Sequence, residues 1–139
     1  MIPEGVTPAG LNEFSKGCMV EHIDIVFTEV GKDYIKAEMP VSHKTTQPFG
    51  LLHGGASVVL AETLGSVAAG VIVTPLGKMA VGLEISANHI KGKKKGKVTG
   101  IAKPVHIGRS THRWEIRVTD EKEELICLSK ITMAILDKK

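Results

Sequence analysis

Apolar residues alternate with polar ones over several short stretches of this chain, and one long stretch shows no alternation at all. The cleanest case is Tyr34–Met39, where Ile35, Ala37 and Met39 share one face and Lys36 and Glu38 the other. That pattern predicts a half-buried strand, ended or edged by Pro40. Cys18–Val30 carries a β signal too, with Ile23, Ile25 and Phe27 set against Asp24 and Val26. Further strands are predicted over Met79–Ile90, Lys97–His106, Thr111–Thr119 and Leu125–Leu136. In the first of these, Val81, Leu83, Ile85, Ala87 and His89 fall on a common face. Gly31-Lys32-Asp33, Gly92-Lys93-Lys94-Lys95-Gly96, Gly108-Arg109-Ser110 and Asp120–Glu124 read as connecting turns. Near the start, Thr7-Pro8 precedes Leu11, Phe14 and Gly17. This is the signature of a short helix capped by Thr7, begun by Pro8 and stopped by Gly17.

The stretch without alternation follows a loop at Val41–Gly50 and runs from about Leu52 to Val73. It is too long for a strand and is small or apolar on every side, so it predicts a buried helix. Gly65 in its interior costs stability relative to alanine. Either something packs close against the backbone there, or the glycine is a tolerated imperfection.

Two early strands, one long helix and four later strands make an α+β chain. Short connections favour an antiparallel sheet, curved around the one helix able to cover its apolar face. Such a helix leaves one side of itself, and the sheet leaves its edges, in need of a second chain, so an oligomer is expected. The chain of 139 residues reads as a single domain over residues 1–139, long enough for a real core. With one Trp, one Tyr and three Phe, that core must be aliphatic, and 42% hydrophobic against 24% charged residues is ordinary for a soluble protein.

Between Lys44 and Lys78 the only formally charged side chain is Glu62. Three readings of that isolation compete. A membrane span puts the carboxylate mid-segment, at a cost of about 2.5–3.5 kcal/mol, and needs Gly54-Gly55 and Thr74-Pro75 at the interfaces. A structural helix leaves Glu62 merely paired. The third reading has the helix present Glu62 to a reacting group, because a lone carboxylate among apolar neighbours is costly unless protonated, paired or used. Gln47, His53 and the free N–H groups opening the helix at Gly54-Gly55 add polar groups that meet a substrate, and favour the third.

Net charge of +3 is too small to argue for nucleic acid. The lysines that cluster at Lys91, Lys93, Lys94, Lys95 and Lys97 have no aromatic residues among them. Six histidines and two cysteines form no HxxxH or CxxC grouping, so no metal is expected. Met1–Lys16 lacks a basic start followed by an apolar core, so no secretory signal is expected; the protein is expected in the cytoplasm, with Cys18 and Cys127 as free thiols.

The segment Gln47-Pro48-Phe49-Gly50-Leu51-Leu52-His53-Gly54-Gly55-Ala56, followed by Glu62 and Ser66, resembles the hotdog-fold acyl-CoA thioesterases of the PaaI-like group. Val81-Gly82-Leu83-Glu84-Ile85-Ser86-Ala87-Asn88-His89 is similar as well. Within that family the chain most resembles the branch acting on 1,4-dihydroxy-2-naphthoyl-CoA in menaquinone synthesis, and the branch clearing misacylated aryl carrier proteins in siderophore synthesis. The resemblance implies a helix wrapped by about six antiparallel strands, paired into dimers and then a dimer of dimers. It also implies hydrolysis of an aromatic acyl-CoA without a cofactor, with an acyl carrier protein as the alternative carrier. A dehydratase of the same fold and a non-catalytic acyl-CoA binding module are the rival functions.

His53 and Glu62 lie nine residues apart, roughly 13 Å along a helix axis, and Gly55 and Glu62 roughly 10 Å. One thioester carbon cannot sit about 3 Å from both ends. If both act on one bond, they come from different subunits, and the family's arrangement agrees. The catalytic set is then Gln47, His53 and Gly55 from one chain and Glu62 and Ser66 from its partner. A fixed N–H at Gly55 would hold the oxyanion, and an ionised Glu62 would attack the carbonyl or take a proton from water. Ser66, one turn on, would hold the carboxylate or the water, with back-bonding to its own helix as the plain alternative. His53 has a plain alternative too, as a satisfied cap residue. Phe49, Leu52, Val67 and His89 are candidate walls for the acyl group, against ordinary packing. Lys91 and its neighbours, with Gly108, Arg109 and Ser110, are candidates for the phosphates of coenzyme A, against a solvated surface turn.

Overall fold

The computed structural model describes residues 1–139. Helix α1 covers Pro8–Phe14, with Thr7 accepting a hydrogen bond from the Gly10 N–H as its cap. Helix α2 covers Met19–His22, and strands β1 and β2 cover Val26–Val30 and Ile35–Pro40. The long helix α3 runs Gly54–Val73 and passes into a 3₁₀ turn, Thr74–Leu76. Strands β3 (Lys78–His89), β4 (Lys97–Ile107), β5 (Thr111–Thr119) and β6 (Leu125–Asp137) complete the chain. The strands form one six-stranded sheet in the order β1-β2-β4-β5-β6-β3, antiparallel throughout.

The predicted α+β arrangement is therefore the observed one. Helix α3 meets every strand from β2 to β6 and fills the hollow of the sheet. Leu60, Ala61, Leu64, Ala68 and Ala69 turn inward onto Trp114, Ile116, Val118, Ile131 and Met133 from β5 and β6. Although α3 is long and apolar enough to cross a membrane, its inward face is the centre of this core. Burial of that face, at about 25 cal/mol per Å² of apolar surface, is the main force holding helix to sheet.

Gly65 is explained by this packing. A Cβ built there would lie 2.5 Å from Ile131 Cγ2 and 3.5 Å from Ile116 Cδ1, so the helix rides directly on β5 and β6. Gly65→Ala is expected to lower unfolding free energy by about 1–3 kcal/mol through overpacking, against the helix-propensity gain of about 1 kcal/mol. A rise in the urea midpoint would contradict the close approach.

Two expectations need correction. The β signal over Cys18–Val30 covers a strand only from Val26; Met19–His22 is a single helical turn, and Asp24 bends the chain with φ 63°. Ile23, Ile25 and Phe27 are all buried, so the alternation was real, but a bent approach satisfies it as well as a strand does. On β3, a bulge between Gly82 and Glu84 shifts the register against β6. It breaks the common face: Ala80, Ile85 and Ala87 pack on the core, while Leu83 is 63% exposed.

Both cysteines are free, Cys18 exposed and Cys127 buried. Two core nitrogens, His112 Nδ1 and Trp114 Nε1, have no hydrogen-bond partner. Burial holds the His112 imidazole below the usual histidine range, and the charges of His106 and the N-terminus push the same way.

Candidate active site

The first turn of any helix leaves its N–H groups without intrahelical partners. Here His53 is the N-cap of α3, in extended conformation, and its Nδ1 accepts the Gly55 N–H at 2.7 Å. The expectation of a free Gly55 amide is corrected accordingly, because the neighbouring imidazole already satisfies that donor. The His53 carbonyl accepts from Ala56 and Ser57 at 3.0 and 3.2 Å, while the Gly54 N–H makes no hydrogen bond. Gly54 is close-packed from the other side: a Cβ there would lie 2.9 Å from His89 Nε2. The end of β3 thus lays an imidazole on the opening turn of α3, which makes His89 a neighbour of the helix start.

The loop before α3 is held by its own backbone. The Gln47 N–H donates to the Leu51 carbonyl at 2.8 Å, and Gln47 Oε1 accepts the Phe49 N–H at 2.5 Å. Gln47 is therefore turned onto its own loop, and Phe49 stands out of it, 88% exposed. Leu52 is 9% exposed and belongs to the core, which removes it as a pocket wall. A hollow of about 300 Å³ opens beside the helix start. His53 and Gly55 share it with Thr45, Thr46, Met19 and Lys44, four residues that no sequence rhythm marked out.

Glu62 lies farther along α3, half-buried on the face turned away from the core. Its Oε1 lies 3.0 Å from where a Gly82 Cβ would be, so the missing side chain on β3 makes the notch that receives it. None of the ion pairs in the chain involves it. Ser66 is also unengaged; the back-bonding seen at Ser15, whose hydroxyl donates to the Leu11 carbonyl at 2.8 Å, is absent there. Ser66 and Val67 line a second hollow, along the later half of α3. Within one chain the candidates therefore divide, with His53, Gly55 and His89 at the helix start and Glu62, Ser66 and Val67 beyond.

The basic turn lies at the same end as the helix start, tied to it by the Leu52 N–H on the Lys93 carbonyl at 2.7 Å. Much of its charge is already answered. Lys91 pairs with Glu124, Lys93 with Glu121 at 2.5 Å, and Lys97 with Glu38 at 3.0 Å. Lys93, helped by backbone N–H groups, pulls the Glu121 carboxyl down to about 2. Lys91 carries an exposed ion pair, while Lys94 and Lys95 stand outside any. Gly108, Arg109 and Ser110 sit at the opposite end of β4, whose eleven residues span roughly 36 Å of strand. Their Gly108 N–H is taken by the Thr111 carbonyl at 2.8 Å. In one chain they cannot join the lysines on a single nucleotide.

His, Cys, Asp and Glu side chains gather nowhere in a set of three that suits a metal ion. The arrangement offers instead an unpaired carboxylate, a hydroxyl one turn away, and a capped helix start rich in N–H groups and imidazole.

Comparison with known proteins identifies the family of this fold. The profile of the thioesterase superfamily matches residues 49–127. A 1,4-dihydroxy-2-naphthoyl-CoA hydrolase of Escherichia coli is 50% identical over 131 residues, covering 94% of this chain and 96% of its own. The proofreading thioesterase EntH of Cronobacter sakazakii is also 50% identical, over 94% of this chain and 95% of its own. A crystal structure of a thioesterase from Haemophilus influenzae superposes with a TM-score of 0.94 at 41% identity, covering 99% of this chain and 96% of that one. The chain belongs to the thioesterase superfamily and has its hotdog fold.

Proposed function

We propose that this thioesterase hydrolyses aromatic acyl-CoA thioesters in the cytoplasm, giving the free acid and coenzyme A, with 1,4-dihydroxy-2-naphthoyl-CoA as the leading substrate. The observation that carries the reading is Glu62: a half-buried carboxylate with no cation beside it, held over Gly82 on an open helix face. A carboxylate left free of any cation on an open helix face is available to a reaction.

The thioester carbon lies between Glu62 of one subunit and the helix start of another. Glu62 attacks it, forming a mixed anhydride that water then hydrolyses while the thiolate takes a proton from solvent. Alternatively, Glu62 draws from the attacking water a proton that it later gives to the leaving sulfur. Ser66 steadies the carboxylate or the water. As charge gathers on the carbonyl oxygen, that oxygen takes the Gly55 N–H from His53 Nδ1, at the positive end of the α3 dipole. Gln47 and the released imidazole then orient the leaving sulfur, which departs as the coenzyme A thiol. The assembly is a dimer of dimers. Its support is the unpaired edge of strand β3, with Met79 and Leu83 exposed on it.

Thiol release from benzoyl- and 1,4-dihydroxy-2-naphthoyl-CoA, followed with a thiol reagent, tests this directly. A kcat/KM of about 10⁴ M⁻¹s⁻¹ or more is expected for at least one of them. Binding of both without release would return the protein to the non-catalytic acyl-CoA module.

A further inference from the structure

The outward stripe of α3 does not end at the reacting groups. From Glu62 it continues one turn at a time through Ser66 and Gly70 to Thr74. Along this later half lies a groove of about 480 Å³, walled on one side by Val67 and Val71 and on the other by Val6, Leu11 and Phe14. No charged side chain lines it. The distance from Ser66 to Thr74 is roughly 12 Å of helix.

Gly70 sits in the floor of this groove and differs from the other glycines of α3. The Cβ position of Gly54 is filled by His89 and that of Gly65 by Ile131, but a Cβ at Gly70 would meet nothing within 4 Å. A glycine in mid-helix costs stability relative to alanine. At Gly70 no close approach offsets that cost; what the missing side chain leaves is open volume.

We propose that Gly70 is a specificity-determining residue: the space above it receives the far end of an elongated, uncharged acyl group whose thioester carbon lies beside Glu62. The inference rests on the thioesterase reading above and deepens it. Continuity of the stripe sets the occupant, since a group anchored at Glu62 and Ser66 has only this apolar channel ahead of it. The absence of any charged side chain sets its polarity. A fused ring system and a fatty chain share the required chemistry.

Gly70→Leu and Gly70→Ala test the proposal. Each variant is assayed on naphthoyl- against benzoyl-CoA, and on decanoyl- against butyryl-CoA. Both substitutions favour the helix, so the fold is expected to persist, as circular dichroism would record. The expected result is a fall of about thirtyfold in the long-to-short ratio of kcat/KM for Gly70→Leu, and a smaller fall for Gly70→Ala. A fall in the ring pair identifies fused rings as the occupant, and a fall in the chain pair identifies an alkyl tail. Ratios unchanged in both pairs overturn the proposal. If molar mass by light scattering changes while the ratios do not, the groove belongs to a second copy of the chain and the proposal is again overturned. A wild type that releases thiol from none of the four substrates, nor from 1,4-dihydroxy-2-naphthoyl-CoA, fails the substrate reading above, and the role of Gly70 falls with it.

Discussion

Glu62→Gln is expected to lower kcat by about 10³-fold, with KM changed far less. The amide has nearly the shape of the carboxylate and fits the same notch over Gly82, so the helix and the groove beside it stay as they are. What it loses is the negative charge, and with it the capacity to attack a carbonyl or accept a proton. Most losses of a charged side chain also break a salt bridge, which confuses activity with folding. Glu62 has no such partner, so its neutralisation removes no pair. The thermal midpoint should therefore hold while turnover collapses. Full turnover in the amide variant would end the case for Glu62, and a collapse of both quantities would make it a structural residue.

Much of this fold was legible in the sequence, and the reason is periodicity. Strand Thr111–Thr119 is observed within its predicted limits because His112, Trp114, Ile116 and Val118 face the core at every second position. Helix α3 was legible from its length and from having no polar side except Glu62. The failures share a different cause. Met19–His22 is one helical turn, too short to show a period of 3.6 residues. The β3 bulge depends on how that strand meets β6, which nothing local to Gly82 announces.

The site divides the same way. Residue types and spacing picked out Glu62, His53 and Gly55, and the cap role of His53 was the plain alternative; that it caps the Gly55 amide itself depends on one side-chain rotamer. The lysines of the basic turn could not be seen as paired, since Glu121 and Glu124 reach them from another hairpin far along the chain. Leu52 looked like its neighbours in sequence, and only the packing of the sheet separates a core residue from a pocket wall.

Mixing two inactive variants tests whether the site is shared. His53→Ala and Glu62→Ala are each expected to lose about 10²-fold or more in turnover, by removing groups that α3 holds roughly 13 Å apart. Within one chain His53 lines the hollow at the helix start and Glu62 does not, so one thioester cannot meet both. In the two-fold dimer proposed above, however, the helix start of one chain would face the middle of its partner's helix at each of two equivalent sites. Random exchange makes about half of the dimers mixed, and each mixed dimer has one site with both groups intact and one with neither, so about a quarter of wild-type activity should return. That fraction is set by symmetry alone and does not depend on whether Glu62 is nucleophile or base. Exchange is confirmed by mass spectrometry of differently tagged chains after brief mild denaturation. If mixed dimers form and no activity returns, each site lies within a single chain. The rise of α3 then forbids His53 and Glu62 from acting on the same bond, and one of them has to leave the mechanism.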